Sequence, residues 1–143
     1  MSEHQERAER MTRVPFHRHL GLELEQADPN EFVVALEMRD HHKNLRGVPH
    51  GGVISTLLDV ALGGAVIASV PEHWWCATLS LSVSFVGAAR GGRLRARGRI
   101  TRRRARVAFA EGRVEDEQGR VIATGQGCWN LWPHHPDRPP AER

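Results

Sequence analysis

The stretch His50-Gly51-Gly52-Val53-Ile54-Ser55-Thr56-Leu57-Leu58-Asp59-Val60-Ala61-Leu62-Gly63-Gly64-Ala65-Val66-Ile67-Ala68-Ser69-Val70-Pro71 decides the reading of this chain. Its apolar run from Val53 to Val70 is too long and unbroken for a strand. It therefore reads as a helix, apolar nearly all round and so buried, with Pro71 ending it. Asp59 is the only charged side chain between Arg46 and Glu72, and a carboxylate that water hardly reaches is costly without a partner or a task. The run also reaches the length of a membrane span. Asp59 near its middle, the hydroxyls of Ser55, Thr56 and Ser69, and the Gly63-Gly64 interruption argue against one.

Outward from the helix the pattern changes to strands. Leu20 to Gln26 and Glu31 to Met38 read as two strands joined by a turn at Ala27-Asp28-Pro29-Asn30, and Asp40 to Pro49 reads as a polar loop. After the helix, Thr78 to Val86 alternates, with Leu79, Leu81, Val83 and Phe85 set against Thr78, Ser80, Ser82 and Ser84. Arg93 to Ile100 has the clearest period of two, with Arg93, Arg95, Arg97 and Arg99 on one face. Arg106 to Val114 and Val121 to Trp129 complete the set around a turn at Gln118-Gly119. Strands in succession about one helix predict an α+β fold, an antiparallel sheet of five to six strands wrapped around one long buried helix. The expected organisation is an arm or short helix over 1–13, a single domain over 14–132 and a Pro-rich disordered tail over 133–143.

Composition narrows the functional classes. The 143 residues suit one domain, so a large pocket is expected to need a second subunit. Of 20 basic residues all but Lys43 are Arg, whose forks suit phosphate, while the formal net charge is only +3. Nucleic acid is the first thought for so basic a chain, but with acidic residues scattered among the arginines a phosphate-bearing small molecule fits equally well. Cys76 and Cys128 have no metal-ligand spacing and form no disulfide framework, and Met1 to Arg13 lacks the apolar centre of a signal peptide. A cytoplasmic protein is the expectation, with no membrane, metal or cofactor. His41-His42 and His134-His135 read as solvated loop and tail rather than zinc ligands.

The chemistry gathers at the helix start. Two glycines let the backbone approach a ligand, and the free N–H groups of a helix beginning there are donors for a developing oxyanion. Ser55, Thr56, Asp59 and Gly63 fall on one stripe of the cylinder. Such a stripe should face a pocket or a subunit boundary, where Gly63-Gly64 would admit another backbone.

Asn44-Leu45-Arg46-Gly47-Val48-Pro49-His50-Gly51-Gly52 followed by Asp59 in an apolar helix resembles the PaaI-type (phenylacetic acid degradation) branch of the hotdog-fold acyl-CoA thioesterases. The likeness runs on through Thr78 to Phe85, Arg99 to Arg106 and Glu117 to Gly125, and covers Phe16 to Leu131. It implies that Asp59 acts as general base or nucleophile and that the Gly51 amide polarises the thioester carbonyl. Asn44 would hold the thioester or water, His50 would support the loop and the carbonyl, and the Thr78 hydroxyl would help to place water. Gly52, Ser55, Thr56 and Arg90 are the expected substrate contacts. The site would form between two subunits of a homodimer, or of a homotetramer built as a dimer of dimers, with a CoA thioester as substrate. The chain departs from the family pattern at Gly87-Ala88-Ala89-Arg90, where many relatives have a Pro-containing turn, and at Trp74-Trp75, expected to line an acyl pocket.

Rival readings use the same residues. A non-catalytic acyl-CoA or acyl-carrier binding protein of this fold would bind without turnover. A hotdog hydratase or dehydratase would need a second acid near His50. Arg90, Arg93 and Arg102-Arg103-Arg104 would grip CoA phosphates or, as the bland alternative, form a charged solvent face.

Overall fold

The computed structural model describes residues 3–133; the expected tail beyond Pro133, with His134-His135, lies outside them. In chain order the elements are α1 (Glu3–Thr12), α2 (Pro15–Leu20), β1 (Glu23–Ala27), β2 (Phe32–Glu37), α3 (Gly51–Ala68), β3 (Trp74–Phe85), β4 (Arg93–Arg104), β5 (Val107–Glu115) and β6 (Val121–Pro133). The strands form one antiparallel sheet in the order β1-β2-β4-β5-β6-β3. This is the α+β architecture expected, with six strands.

The sheet wraps α3. Leu57, Leu58, Ala61, Leu62, Ala65 and Val66 are fully enclosed, each leucine contributing about 1.5–3 kcal/mol by leaving water. Among the described residues α3 is the one helix long and apolar enough to cross a membrane, and 67% of it is buried inside this fold. Along β4 the expected alternation holds: Leu94, Ala96 and Gly98 are buried, and the arginines between them face outward. They meet carboxylates from three other strands and the β1–β2 turn. Arg93 bonds Glu23, Glu25 and Glu37 at 2.6, 2.9 and 3.1 Å, and Arg97 bonds Glu31 and Glu115 at 2.6 and 3.1 Å. Arg95 pairs with Glu25 at 2.7 Å, and Arg99 pairs with Glu111. Exposed pairs contribute little singly, but together they tie β1, β2 and β5 to β4 on the outer face of the sheet.

Four local expectations are corrected. The first strand begins at Glu23 rather than Leu20, because Pro15 starts a short helix that Gly21 closes in the left-handed conformation, φ 80°. The last strand runs past Trp129 to Pro133, where the tail was expected to begin, and Trp132 and Pro133 pair with Trp75 and Trp74. A bulge between Thr78 and Ser80 breaks the alternation of β3. Thr78 pairs with the buried Trp129 and so shares the inward face with Leu81 and Val83 rather than the outward face with Ser80. Gly63 and Gly64 admit aromatic rings, not another backbone. A Cβ on Gly64 would lie 2.3 Å from the Phe32 ring, and one on Gly63 would lie 3.3 Å from the Trp129 indole nitrogen.

Candidate active site

His50 caps α3 with its own ring: Nδ1 accepts the Gly52 N–H at 2.9 Å. Val53 and Ile54 donate to the His50 carbonyl at 2.9 and 3.2 Å. Of the first four amides of the helix this leaves Gly51 N–H without an acceptor among the described residues. It sits half-buried at the positive end of an 18-residue helix. An Nδ1 that accepts puts the imidazole proton on Nε2.

The loop before the helix is tied by Asn44. Its side-chain oxygen accepts from Arg46 N–H at 2.9 Å and Val48 N–H at 3.4 Å, and its backbone N–H donates to Val48 at 2.8 Å. Both side-chain partners are N–H donors, so the Asn44 Nδ2 group is left as a donor. Asn44 and Gly51 share a cavity of about 280 Å³ with Val48, Ile54, Phe85 and Ile122.

Asp59 lies two turns along α3. Thr78, brought inward by the bulge, donates to Asp59 Oδ1 at 2.7 Å. The carboxylate is half-buried rather than dry in the single chain. Its charge reaches Cys76: burial first, and then Asp59, push that thiol up to about 12, so Cys76 is no nucleophile at neutral pH. Ser55 and Thr56 are half-buried beside it, and Thr56 donates back to Gly52 C=O at 2.8 Å.

The predicted residues therefore form two groups, Asn44–His50–Gly51–Gly52 and Asp59–Thr78. Eight residues along a helix separate Gly51 from Asp59 by about 12 Å, too far for both to act on one carbonyl. Arg90 joins neither group; it is exposed, next to the Gly87–Ala89 segment that lines the cavity.

A family profile described as the thioesterase superfamily matches residues 46–123. The chain belongs to this superfamily. The matched span starts two residues after Asn44, contains His50, Gly51, Gly52, Asp59 and Thr78, and ends within β6. Among solved structures, this thioesterase-superfamily chain is 30% identical to the phenylacetic acid degradation protein PaaI of Thermus thermophilus, over 82% of this chain and 98% of that one, with a TM-score of 0.74. A Shewanella oneidensis protein related to the thioesterase superfamily is 28% identical over 89% and 94% of the chains, with a TM-score of 0.79. A Pseudomonas aeruginosa protein named as an esterase is 42% identical over 62 residues, which is 43% of this chain and 46% of that protein's length. The resemblance to the PaaI-type branch holds.

In this thioesterase fold the arginines divide. Arg93 is held by three carboxylates, which make it more basic than usual, so the phosphate role read for it is replaced by a structural one. Arg103 donates to Ser69 C=O at the end of α3, while Arg90, Arg102 and Arg104 are exposed. Trp74 is half-buried against the core and Trp75 is 47% exposed; neither lines the cavity. Phe85, Ile54 and Ile122 do, and nothing in their spacing marks them. A larger depression of about 760 Å³ on the outer face of the sheet is lined by Arg97, Arg99, Glu111 and Arg113 and holds no predicted site residue.

His42 is the other residue that the sequence reading misplaced. It is 1% exposed rather than solvated. Its Nδ1 accepts from Arg39 N–H at 2.9 Å and its Nε2 bonds Leu20 C=O at 2.8 Å, while its backbone carbonyl accepts from His50 N–H at 2.8 Å. The ring thus braces the loop that carries Asn44 and His50. His42→Ala should cost about 2–3 kcal/mol in urea unfolding, because it strands two buried backbone groups. Burial also holds this imidazole below its ordinary range. The unfolded chain therefore binds the proton first as pH falls below about 6.5. Stability from His42 is complete above that pH and lost as pH falls through the folded value. His42→Gln should flatten the decline in unfolding free energy between pH 7 and 5.

Proposed function

We propose that this protein hydrolyses an acyl- or aroyl-CoA thioester to free acid and CoA, in an active site shared between two copies of the chain. Family membership and the thioesterase relatives support thioester hydrolysis in general. The observation that carries the composite site is the placement of an unpartnered Gly51 N–H and the Asp59 carboxylate about 12 Å apart on one rigid helix. Only a second α3, running antiparallel beside the first, brings one protomer's Asp59 to the other's Gly51.

The sheet supplies a reason for such pairing. β3 is a 12-residue edge strand, and Leu79, Phe85 and Val86 on or beside it are 56%, 58% and 61% exposed. Long apolar edges of this kind attract another strand. A two-fold β3–β3 pairing is self-complementary and would continue the sheet through both chains. The other edge, β1, is short and bulged and carries Glu23 and Glu25.

In the proposed reaction, water adds to the thioester carbon while Asp59 removes its proton, and Thr78 holds Oδ1 so that Oδ2 faces the water. The oxyanion is stabilised by the partner's Gly51 N–H at the helix start, and the neutral Asn44 Nδ2 group steadies the thioester. Collapse expels the CoA thiolate, which takes up the proton from Asp59. Direct attack by Asp59 would instead form a mixed anhydride, and label found in Asp59 after single turnover in ¹⁸O water would establish that route. His50 keeps its structural place as the cap that frees Gly51. Residues 14–132 form the catalytic unit, and a cytoplasmic setting suits both the substrate and the two free thiols.

A panel of acyl- and aroyl-CoA thioesters with a thiol reagent tests the reading. Release of CoA is expected from at least one member, and light scattering should give at least twice the 16.0 kDa of one chain. Tight binding without turnover across the panel would make the protein an acyl-CoA or acyl-carrier binder instead. An active monomer would sink the shared site.

A further inference from the structure

We infer that His42 is a positioning residue for the candidate site: its neutral ring latches the loop that carries Asn44 and leads to the Gly51 amide, and a proton on the ring releases both while the protein stays folded. The consequence for catalysis rests on the thioester reading above; the latch itself does not.

Two backbone groups of opposite polarity fix the ring. Nδ1 accepts the Arg39 N–H at 2.9 Å, so the proton of the neutral ring is on Nε2, which donates to Leu20 C=O at 2.8 Å. An imidazolium has two N–H groups and no acceptor. Its Nδ1–H would confront the Arg39 N–H, and at 1% exposure the ring has little water to turn to. The Arg39 bond is therefore kept only by the neutral ring. Its enclosure is complete within one chain, so the latch needs no residue from a second copy.

The loop transmits the change because it is a closed hairpin. His42 C=O accepts the His50 N–H at 2.8 Å, Lys43 pairs with Pro49, and Asn44 N–H donates to Val48 C=O at 2.8 Å. Gly47 turns the tip at φ 74°. His50, at one end of this hairpin, is the residue whose ring caps α3 and leaves the Gly51 N–H free. Release of the Arg39 bond thus reaches the Asn44 and Gly51 donors through one short ladder, and a misplacement of about 1 Å costs on the order of a hundredfold in rate. Asp59 and Thr78 lie on α3 and β3, outside that ladder.

The surroundings oppose a charged ring. On its own turn, Asp40–His42, the His41 ring lies 4.0 Å away and Arg39 precedes it, while Asp40 is fully exposed and bonds Lys43 at 3.0 Å. Glu37 on β2 is engaged by Arg93. The α2 helix, which ends at Leu20, carries His17, Arg18 and His19; His17 Nδ1 bonds Met11 C=O, and the His19 ring lies 6.1 Å from His41. The start of α3 brings His50. Burial first, then His41 and Arg39, hold the His42 imidazole below its ordinary range against the pull of the Leu20 carbonyl. The latch therefore opens below about pH 6.5.

An NMR titration of ¹⁵N-labelled protein from pH 7.5 to 5, reading the Asn44 side-chain amide and the Gly51 N–H, tests the latch without substrate. Both signals should move with the midpoint of the His42 ring. In His42→Asn, whose oxygen replaces Nδ1 as acceptor and does not titrate, that step should vanish; if this variant does not fold, the wild-type midpoints decide alone. A step that follows the His50 ring instead, or flat Asn44 and Gly51 signals while His42 titrates, would overturn the inference. With the best thioester of the panel, wild-type kcat/KM should fall about tenfold across the His42 midpoint at unchanged tryptophan emission, and His42→Asn should lack that limb. A limb unmoved by the substitution would deny His42 its positioning role. If no thioester is turned over, the reaction reading fails, and the titration still decides the latch.

Discussion

Asp59→Asn is expected to lower kcat by about a thousandfold while leaving the protein folded and its substrate affinity within a few-fold. The size follows from the role. A positioned base is worth roughly a hundred- to ten-thousandfold, and the amide cannot accept the proton of water. The fold should tolerate the change because Asn keeps an oxygen for the Thr78 hydroxyl, now 2.7 Å from Asp59 Oδ1, and the position is only half-buried. A second readout is independent of turnover. The Asp59 charge is the second cause, after burial, of the raised Cys76 thiol, so Asp59→Asn should lower the Cys76 titration midpoint from about 12. A wild-type rate in the folded variant, with the thiol shifted, would show that the carboxylate is present but chemically idle. Thr78→Val should fall between the two, by about tenfold in kcat, because it releases the carboxylate without removing it.

What could be read without coordinates was what depends on short-range pattern. The apolar run around Asp59 is long enough to exclude a strand, and the Arg alternation in β4 fixes both a strand and its wet face. His50, Gly51 and Asp59 stood out from local composition and spacing as well, whereas Asn44 became a candidate only through the resemblance those residues carry. What escaped depends on residues far apart in the chain. The partners of the β4 arginines are 12 to 70 residues away, so an intramolecular ladder and a phosphate patch look alike in sequence. One extra residue in β3 reversed the facing of Thr78, and no residue type announces a bulge. Burial of His42 follows from the carbonyl of Leu20, 22 residues earlier, and the Phe85 wall of the cavity from folding β3 back beside the helix start. Gly63-Gly64 drew attention as a contact for backbone, whereas Phe32 and Trp129 occupy the space.

A glycine whose replacement should reach both the fold and the site is one that the alternation of β4 did not single out. Gly98, Gly112 and Gly125 stand side by side on β4, β5 and β6, under the helix. A Cβ on Gly98 would lie 2.5 Å from the Ala61 carbonyl oxygen and 2.9 Å from the Leu62 nitrogen. Those atoms are helix backbone, so relief requires α3 itself to lift rather than a side chain to turn. Gly98→Val should therefore destabilise by about 3 kcal/mol or more, the upper range for overpacking, lowering Tm by about 10 °C. Gly91→Ala is the matched control, because nothing lies within 4 Å of the added carbon, and it should stay within about 0.5 kcal/mol of the wild type. Since Gly51 and Asp59 ride on the helix that would be displaced, whatever fraction of Gly98→Val still folds should also lose activity per folded molecule. Full specific activity in that fraction would mean that the sheet yields instead of α3, and the helix would then not be the rigid bar that sets the separation of the two halves of the site.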